Sequence, residues 1–165
     1  MLRVALHGHL SAGFGLAGGA QATARLLEAA GCTVLPCDLR LSSHASVQVV
    51  NSCKSGPPQI DLVHTNPNIL RSRPDLLDPE NLSAPLRIGY WAWELEAFPE
   101  GWEASFHHYD EIWCPSSFTA QSLTQRSSVP VIAIPHLPDW PLLNRLYEQR
   151  QQSLSCRQKK AVRLV

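Results

Sequence analysis

Polar and aromatic side chains follow the predicted strands of this chain, at the points where the strands end. A histidine in such a place is more often structural, but several imidazoles at one edge, joined by an amide and a carboxylate, can bind hydroxyl groups or move protons. Because the carboxyl ends of parallel strands open into one crevice, we expect these residues to form a site. The full set is His7, Gly8, His9, Asp38, His64, Asn66, Trp91, Trp93, Glu94, Pro115, Ser116 and His136.

A glycine-rich loop follows the first of these strands. The run from Gly13 to Gly18 matches the pattern G-x-G-x-x-G, and Asp38 lies 20 residues further on. This is the dinucleotide-binding fingerprint, in which the loop contacts a pyrophosphate and the acid binds a ribose. However, about five extra residues separate His7 from Gly13. Two other interpretations of the loop therefore stay open. It is either a longer loop that lies under a sugar diphosphate, or the start of a helix that needs glycine for close packing.

Four of the five tryptophans lie between residues 91 and 113. Trp91 and Trp93 are followed by Glu94, and the segment comes directly after an apolar strand. Indole rings can form a core, or they can stack on a sugar ring while a carboxylate accepts hydrogen bonds from its hydroxyls. Two residues apart on an extended segment, the two rings point the same way. We expect them to form an exposed apolar surface beside the strand ends.

The elements that would position these residues alternate between strands and helices. Each predicted strand is mostly apolar without strict alternation, which is typical of a parallel sheet covered on both faces. The sequence therefore predicts an α/β protein with a three-layer, Rossmann-like parallel sheet and helices on both faces. The predicted strands are Arg3–His7, Cys32–Pro36, Ile60–His64, Leu86–Trp91, Glu111–Cys114 and Val129–Ile134. The predicted helices are Leu16–Leu27 (with Gly31 as a left-handed cap), Ser43–Ser52, a turn at Pro67–Leu70, Gly101–Tyr109, and one capped by Ser116 or Ser117 that runs to about Arg126.

Several of these segments resemble one family. The stretch Ile88–Phe118, the run from Val129 to His136, the segment Asp61–Pro67 and the Gly13–Gly15 loop are similar to the N-terminal half of retaining glycosyltransferases of the GT-B architecture, a family that includes sucrose synthases and bacterial mannosyltransferases. The resemblance covers residues 1–138, which we expect to form a glycosyltransferase N-terminal domain. Residues 139–165 are expected to form a basic, helical C-terminal tail.

The resemblance implies an activity and assigns the two substrates to two different domains. A sugar would move from a nucleotide-sugar to a hydroxyl acceptor, without a metal or any other cofactor, in a cleft between two Rossmann-like domains. The domain seen here would hold the acceptor, and the chain is expected to be incomplete without a separate donor-binding domain. Gly13 and Gly15 would lie near the donor diphosphate. Relatives often have a histidine where this chain has Trp91-Ala92-Trp93-Glu94, so no catalytic histidine is carried over.

From the residues themselves we expect Glu94 to act in catalysis. His64, Asn66, Trp91 and Trp93 are expected to contact or support the substrates. Two functions of other classes stay open. One is an NAD(P)-dependent oxidoreductase domain that uses the Gly13–Gly18 loop, and the other is a non-catalytic binding module.

The distribution of charge and the cysteines limit the binding partners and the cellular location that the sequence suggests. The net charge is zero over 165 residues, but six basic residues and one acid lie between Arg145 and Val165. An acidic body with a basic tail is not a nucleic-acid platform, although the tail could weakly contact an anionic membrane. The five cysteines are odd in number and contain no Cys-x-x-Cys pair, so neither a disulfide framework nor a zinc site is indicated. A cytoplasmic location fits this composition best.

Overall fold

Six parallel strands form a single sheet. The computed structural model describes residues 1–39, 56–77, 82–136 and 143–153. The strand order across the sheet is β2-β1-β3-β4-β5-β6, and every neighbouring pair is parallel. The predicted α/β fold with a Rossmann-like parallel sheet is confirmed. The strands are β1 (Arg3–Gly8), β2 (Thr33–Asp38), β3 (Ile60–His64), β4 (Leu86–Tyr90), β5 (Glu111–Cys114) and β6 (Val131–Ala133).

In the described residues, helices lie between β1 and β2 and in each connection from β3 to β6. The α-helices are α1 (Gly15–Ala29), α2 (Pro67–Ser72) and α3 (Ser117–Thr124), and two short 3-10 helices span Pro74–Leu77 and Glu103–His108. Residues 143–153 are also helical, and their side chains are exposed. Among the described helices, none combines the length and the apolar character that crossing a membrane would require.

Two helix ends follow directly from the sequence. Gly31 has a φ of 83°, and the Cys32 N–H donates a 2.9 Å hydrogen bond to the Leu27 carbonyl, so a glycine in the left-handed region ends α1 as predicted. Ser116 precedes α3, and its Oγ accepts a 3.1 Å hydrogen bond from the Thr119 N–H. The predicted serine cap is therefore present.

The sheet separates two clusters of buried side chains. Neighbouring residues of one strand contribute to different clusters, since Leu62 packs with Val4, Leu6 and Ala20, whereas Val63 packs with Trp91. This alternation follows from the pleat of the strands. The first cluster lies under α1, and the second is rich in aromatic rings. The predicted covering of the sheet on both faces thus has a packed core on each side.

Some predicted boundaries are wrong. The helix predicted at Gly101–Tyr109 is present but shorter, as a 3-10 helix over Glu103–His108. Winding at three residues per turn places Phe106 and Tyr109 on the same side, and both are buried. The helix expected to run to Arg126 ends at Thr124, and the last strand is shorter than predicted. The predicted helix Ser43–Ser52 lies outside the described residues.

The strand order reverses beside β1. β2 lies on one side of β1 and β3 on the other, so the connections that leave β1 and β3 diverge. In open α/β sheets such a reversal leaves a crevice outside the carboxyl ends of the strands.

Candidate functional site

A cleft lies at the carboxyl edge of the sheet and consists of two adjoining pockets. The α1 pocket, about 530 Å³, is lined among others by Gly15, Leu16, Trp93, Glu94, Phe118 and His136. The Trp102 pocket, about 370 Å³, is lined among others by Leu16, Asn66, Asn68, Trp93, Glu94 and Trp102. Leu16, Ala92, Trp93 and Glu94 line both pockets. The predicted edge therefore does form a concave surface large enough for small molecules.

The N-terminus of α1 opens into the α1 pocket. Phe14 is the N-cap and its side chain makes no capping hydrogen bond, while the Gly18 N–H bonds back to the Phe14 carbonyl at 3.1 Å. The backbone amides of Gly15, Leu16 and Ala17 therefore lack partners within the helix. A Cβ placed on Gly15 would meet nothing within 4 Å. Bare backbone and the positive end of the helix dipole make this a suitable place for an anionic group.

Glu94 and Asn66 bring oxygen acceptors to the cleft. Glu94 is exposed and lines both pockets. The Asn66 Nδ2 donates a 3.1 Å hydrogen bond to the Ala92 carbonyl, which fixes the amide against the tryptophan segment. The Asn66 Oδ1 is buried and has no partner among the described residues. The exposed Glu94 carboxylate can therefore accept hydrogen bonds from hydroxyl groups of a ligand, and the Asn66 Oδ1 is an unused acceptor beneath the cleft surface.

The tryptophan pair differs from the expectation. Trp91 has an exposed fraction of 0% and lines neither pocket, and Trp93 is 9% exposed. The rings do point the same way, but inward: both contact Phe98, at centroid distances of 5.7 and 5.6 Å. The expected exposed apolar surface at these residues is therefore wrong. Trp91 belongs to the core, and Trp93 alone of the pair reaches the cleft.

His64 lies beneath the cleft rather than in it. Its ring is fully buried and stacks on Tyr90, with centroids 4.4 Å apart and planes within 6°. Burial, with a contribution from the nearby His136, lowers the pKa of His64 to about 4, so the ring is neutral at pH 7. Neither ring nitrogen has a hydrogen-bond partner within the described part of the chain. His64 can support the site through Tyr90, but it does not line either pocket.

The loop before α1 uses Asp38 internally. The Ser11 Oγ and the Ser11 N–H bond to the two carboxylate oxygens of Asp38 at 2.5 and 3.1 Å. The dinucleotide interpretation needs this carboxylate to bind a ribose hydroxyl, and a ribose would therefore compete with Ser11 for it. Gly13, the other predicted loop residue, lines neither pocket, and its missing side chain faces open space.

Sequence reasoning missed two aromatic residues that line the pockets. Phe118 lies in the first turn of α3, is 51% exposed and lines the α1 pocket. Trp102 lies in the connection before β5 and lines the other pocket. A helix that follows a strand begins at the carboxyl edge of the sheet, so extending the analysis of each strand end by one helical turn would have found Phe118. No comparable signal distinguishes Trp102 from a core residue.

Comparisons with known proteins add no assignment. No protein-family model matches the chain, and no curated protein sequence matches it significantly. Within the described ranges, no three His, Cys, Asp or Glu side chains group as metal ligands.

Proposed function

We propose that this chain is the acceptor-side domain of a cytoplasmic glycosyltransferase that moves a sugar from a nucleotide-sugar to a hydroxyl. The single observation that carries the proposal is the position of Glu94, which lines two adjoining pockets of different chemistry. One pocket adjoins the bare N-terminus of α1, and the other adjoins amides and an indole ring. Two substrates bound there would meet at a carboxylate.

The α1 pocket suits the donor. A diphosphate at the N-terminus of α1 would receive hydrogen bonds from the unpartnered amides beginning at Gly15. The first turn of α1 contains no acidic residue that would repel it. Gly13 precedes the helix by two residues and is exposed, so its backbone is open to the same group.

The Trp102 pocket suits the acceptor. Asn66 and Asn68 supply amide groups, and Trp93 and Trp102 supply aromatic surface. The Arg71 guanidinium lies 5.2 Å from the centre of the Trp102 ring and donates a 3.2 Å hydrogen bond to the Gly101 carbonyl. These contacts hold the ring at the pocket wall. Planar apolar surface beside hydrogen-bonding amides is the kind of lining that orients a polar ring ligand.

The proposed chemistry depends on position and charge. Glu94 would accept a hydrogen bond from the attacking hydroxyl, or its negative charge would stabilise an oxocarbenium-like transition state. Such stabilisation is strong only where water is excluded, yet Glu94 and His136 are exposed. We therefore include in the proposal a separate donor-binding domain that closes over the cleft. The basic tail would add weak contact with an anionic membrane.

Ligand titrations followed by NMR test the proposal. Nucleotide-sugars such as UDP-glucose and GDP-mannose are expected to shift the amide signals of residues 15–17. Methyl glycosides are expected to shift the Trp102 indole and the Asn66 amide. Gly15→Asp adds a negative charge at the pocket and should abolish the first response. The matched control is Gly18→Asp, which adds the same charge to an exposed position of α1 that does not line the pocket.

The contrary outcome is equally concrete. Nucleotide-sugars that leave residues 15–17 unshifted would contradict the proposal. Binding of NAD that is lost in Asp38→Ala would favour the oxidoreductase instead.

A further inference from the structure

The Tyr90 hydroxyl has a settled hydrogen-bonding role. Its Oη lies 2.7 Å from the Ile134 carbonyl oxygen. A carbonyl has no proton to give, so at this distance the tyrosine must be the donor. Burial raises the pKa of Tyr90, which keeps the hydroxyl protonated.

The same hydroxyl determines which nitrogen of His136 carries a proton. The His136 Nδ1 lies 3.3 Å from the Tyr90 Oη. Because the only hydroxyl proton is already donated to Ile134, Nδ1 must be the donor in this pair. The Nε2 atom of the neutral ring is then a bare acceptor. Although His136 is exposed as a residue, partial burial of its ring lowers the pKa, which favours the neutral form.

Three neighbours hold the His136 ring in place. Its centroid lies 4.9 Å from that of Tyr90 and 5.5 Å from that of His64. A Cβ on Gly19 would lie 2.8 Å from the His136 Cε1 and 3.1 Å from its Nε2, so only a glycine in α1 lets the ring approach this closely. The ring also lines the α1 pocket.

The other side-chain donors of the α1 pocket are used internally. The Trp93 Nε1 donates to the Ala97 carbonyl at 3.1 Å, and the Thr119 Oγ1 donates to the Trp93 carbonyl at 2.9 Å. Since the Thr119 proton is used, the 3.1 Å contact between its oxygen and the Ser116 Oγ must have serine as the donor. Among the described side chains that line this pocket, the polar groups left for a ligand are acceptors: the Glu94 carboxylate and the His136 Nε2.

We propose that His136 reads a hydroxyl group of the sugar in the α1 pocket through its Nε2, and that the pocket therefore takes a neutral hexose and rejects a hexuronate. The inference rests on the proposed function. A neutral sugar offers hydroxyl donors to both acceptors, whereas a sugar carboxylate would face Glu94 and a lone pair. The backbone amides of α1 remain for the phosphate. His136 is thus a specificity residue, and Tyr90 and Gly19 are positioning residues.

The tautomer can be measured without any ligand. In protein labelled with ¹⁵N-histidine, the signals of His136, assigned with His136→Gln, should show protonated Nδ1 and bare Nε2. Tyr90→Phe removes the oxygen that holds this proton and should shift the ring toward the Nε2–H form. A wild-type ring protonated on Nε2 would overturn the inference whatever the protein's activity.

The substrate class is tested with a matched pair of probes. The probes are α-D-glucose 1-phosphate and α-D-glucuronate 1-phosphate, which differ only at the sugar carboxylate, and binding is followed by the amides of residues 15–17. We expect wild type to bind the glucose compound at least ~10-fold more tightly, the scale of an unfavourable charge contact. Gly19→Ala, which displaces the His136 ring, should weaken binding of the glucose compound. Gly18→Ala, with nothing within 4 Å, should leave it unchanged.

Different results would contradict the inference and the proposed function. Equal affinity for the two probes would overturn the inference and leave the proposed function standing. If neither probe shifts the amides of residues 15–17, the proposed function fails and the inference fails with it.

Discussion

Glu94 stands at the boundary of the α1 pocket and the Trp102 pocket, and it is exposed. No hydrogen bond to another described side chain holds it, so Glu94→Gln removes a charge without removing a structural contact. The melting temperature should stay nearly unchanged. With a donor-binding domain present, sugar transfer should fall at least ~10-fold, the usual scale for a positioned acid–base or charge-stabilising group.

The control for this variant is Glu96→Gln, which removes the same charge from an exposed position that lines neither pocket. Thermal unfolding and transfer rates of the two variants decide the matter. Transfer that survives Glu94→Gln undiminished would remove this carboxylate from the chemistry.

A second residue-scale feature is a buried pair on neighbouring strands. The His7 Nε2 lies 2.9 Å from the Asp61 Oδ1, and the Asp61 Oδ2 accepts a 2.7 Å hydrogen bond from the Ala84 N–H. Burial disfavours the charged ring, but the hydrogen bond to Asp61, with a contribution from the neighbouring Cys37, outweighs it and raises the pKa of His7 from 6.5 to about 9. The proton on His7 is therefore held more tightly in the folded protein than in the unfolded chain.

This pair predicts a pH-dependent stability. Because the folded-state pKa is raised, the contribution is complete below pH 6.5 and is lost as the pH rises through about 9. Between these values the free energy of unfolding should fall by ~1.4 kcal/mol per pH unit from this group. Urea denaturation of wild type and of Asp61→Asn across this range measures it. Asp61→Asn should lose the slope and ~3 kcal/mol of stability at pH 6.

His108→Asn is the control, because that histidine is exposed and should leave the slope in place. A slope that persists in Asp61→Asn would show that other groups cause it.

At the scale of the elements, alanine substitutions at two glycines of the α1 region should have opposite effects on stability. A Cβ on Gly18 or on Gly31 would meet nothing within 4 Å, so neither is constrained by space. Gly18 lies inside α1, whereas Gly31 follows it with a φ of 83°. Gly18→Ala should therefore stabilise the protein by ~0.5–1 kcal/mol, and Gly31→Ala should destabilise it by ~1–2 kcal/mol. Chemical denaturation of both variants checks the signs, and two effects of the same sign would contradict the argument.

The elements also show what the sequence can reveal. Ile60–His64 and Glu111–Cys114 have the bounds predicted for them, because short, mostly apolar segments between polar loops are typical of buried parallel strands. Gly31 and Ser116 were predictable because each position demands a particular residue type. By contrast, the type of helix at Glu103–His108 depends on the burial of Phe106 and Tyr109, which are tertiary contacts.

The candidate site was only partly predictable for the same reason. Strand ends indicate which residues share an edge, so the sequence places Asn66 and Glu94 at the cleft, whereas Gly15 was singled out by the glycine-rich loop. The Trp91 ring points inward and stacks on Phe98, and no local sequence pattern predicts this contact. The role proposed for His136 depends on the hydrogen bond between Tyr90 and Ile134, two residues 44 positions apart, which the sequence does not reveal.

At the scale of the whole molecule, protection should decline from the middle of the sheet to its edge. β1 and β3 are paired on both sides and almost fully buried, whereas β6 pairs only with β5 and two of its three residues are exposed. Amide hydrogen exchange should be slowest in β1 and β3 and fastest in β6, because edge strands open at a lower free energy. Exchange in β6 as slow as that in β1 would mean that another part of the chain covers the edge.

The bond from Tyr90 to Ile134 also has a mechanical meaning. Tyr90 ends β4 and Ile134 follows β6, so a single side chain spans the intervening β5. A pulling force applied beyond His136 would load this bond together with the 2.7 Å backbone bond from the Ile134 N–H to the Cys114 carbonyl. The edge strand therefore resists peeling with more than its own short ladder. In single-molecule pulling, Tyr90→Phe should lower the rupture force of β6, and the chain leaving the sheet would then transmit less tension to the rings that line the α1 pocket.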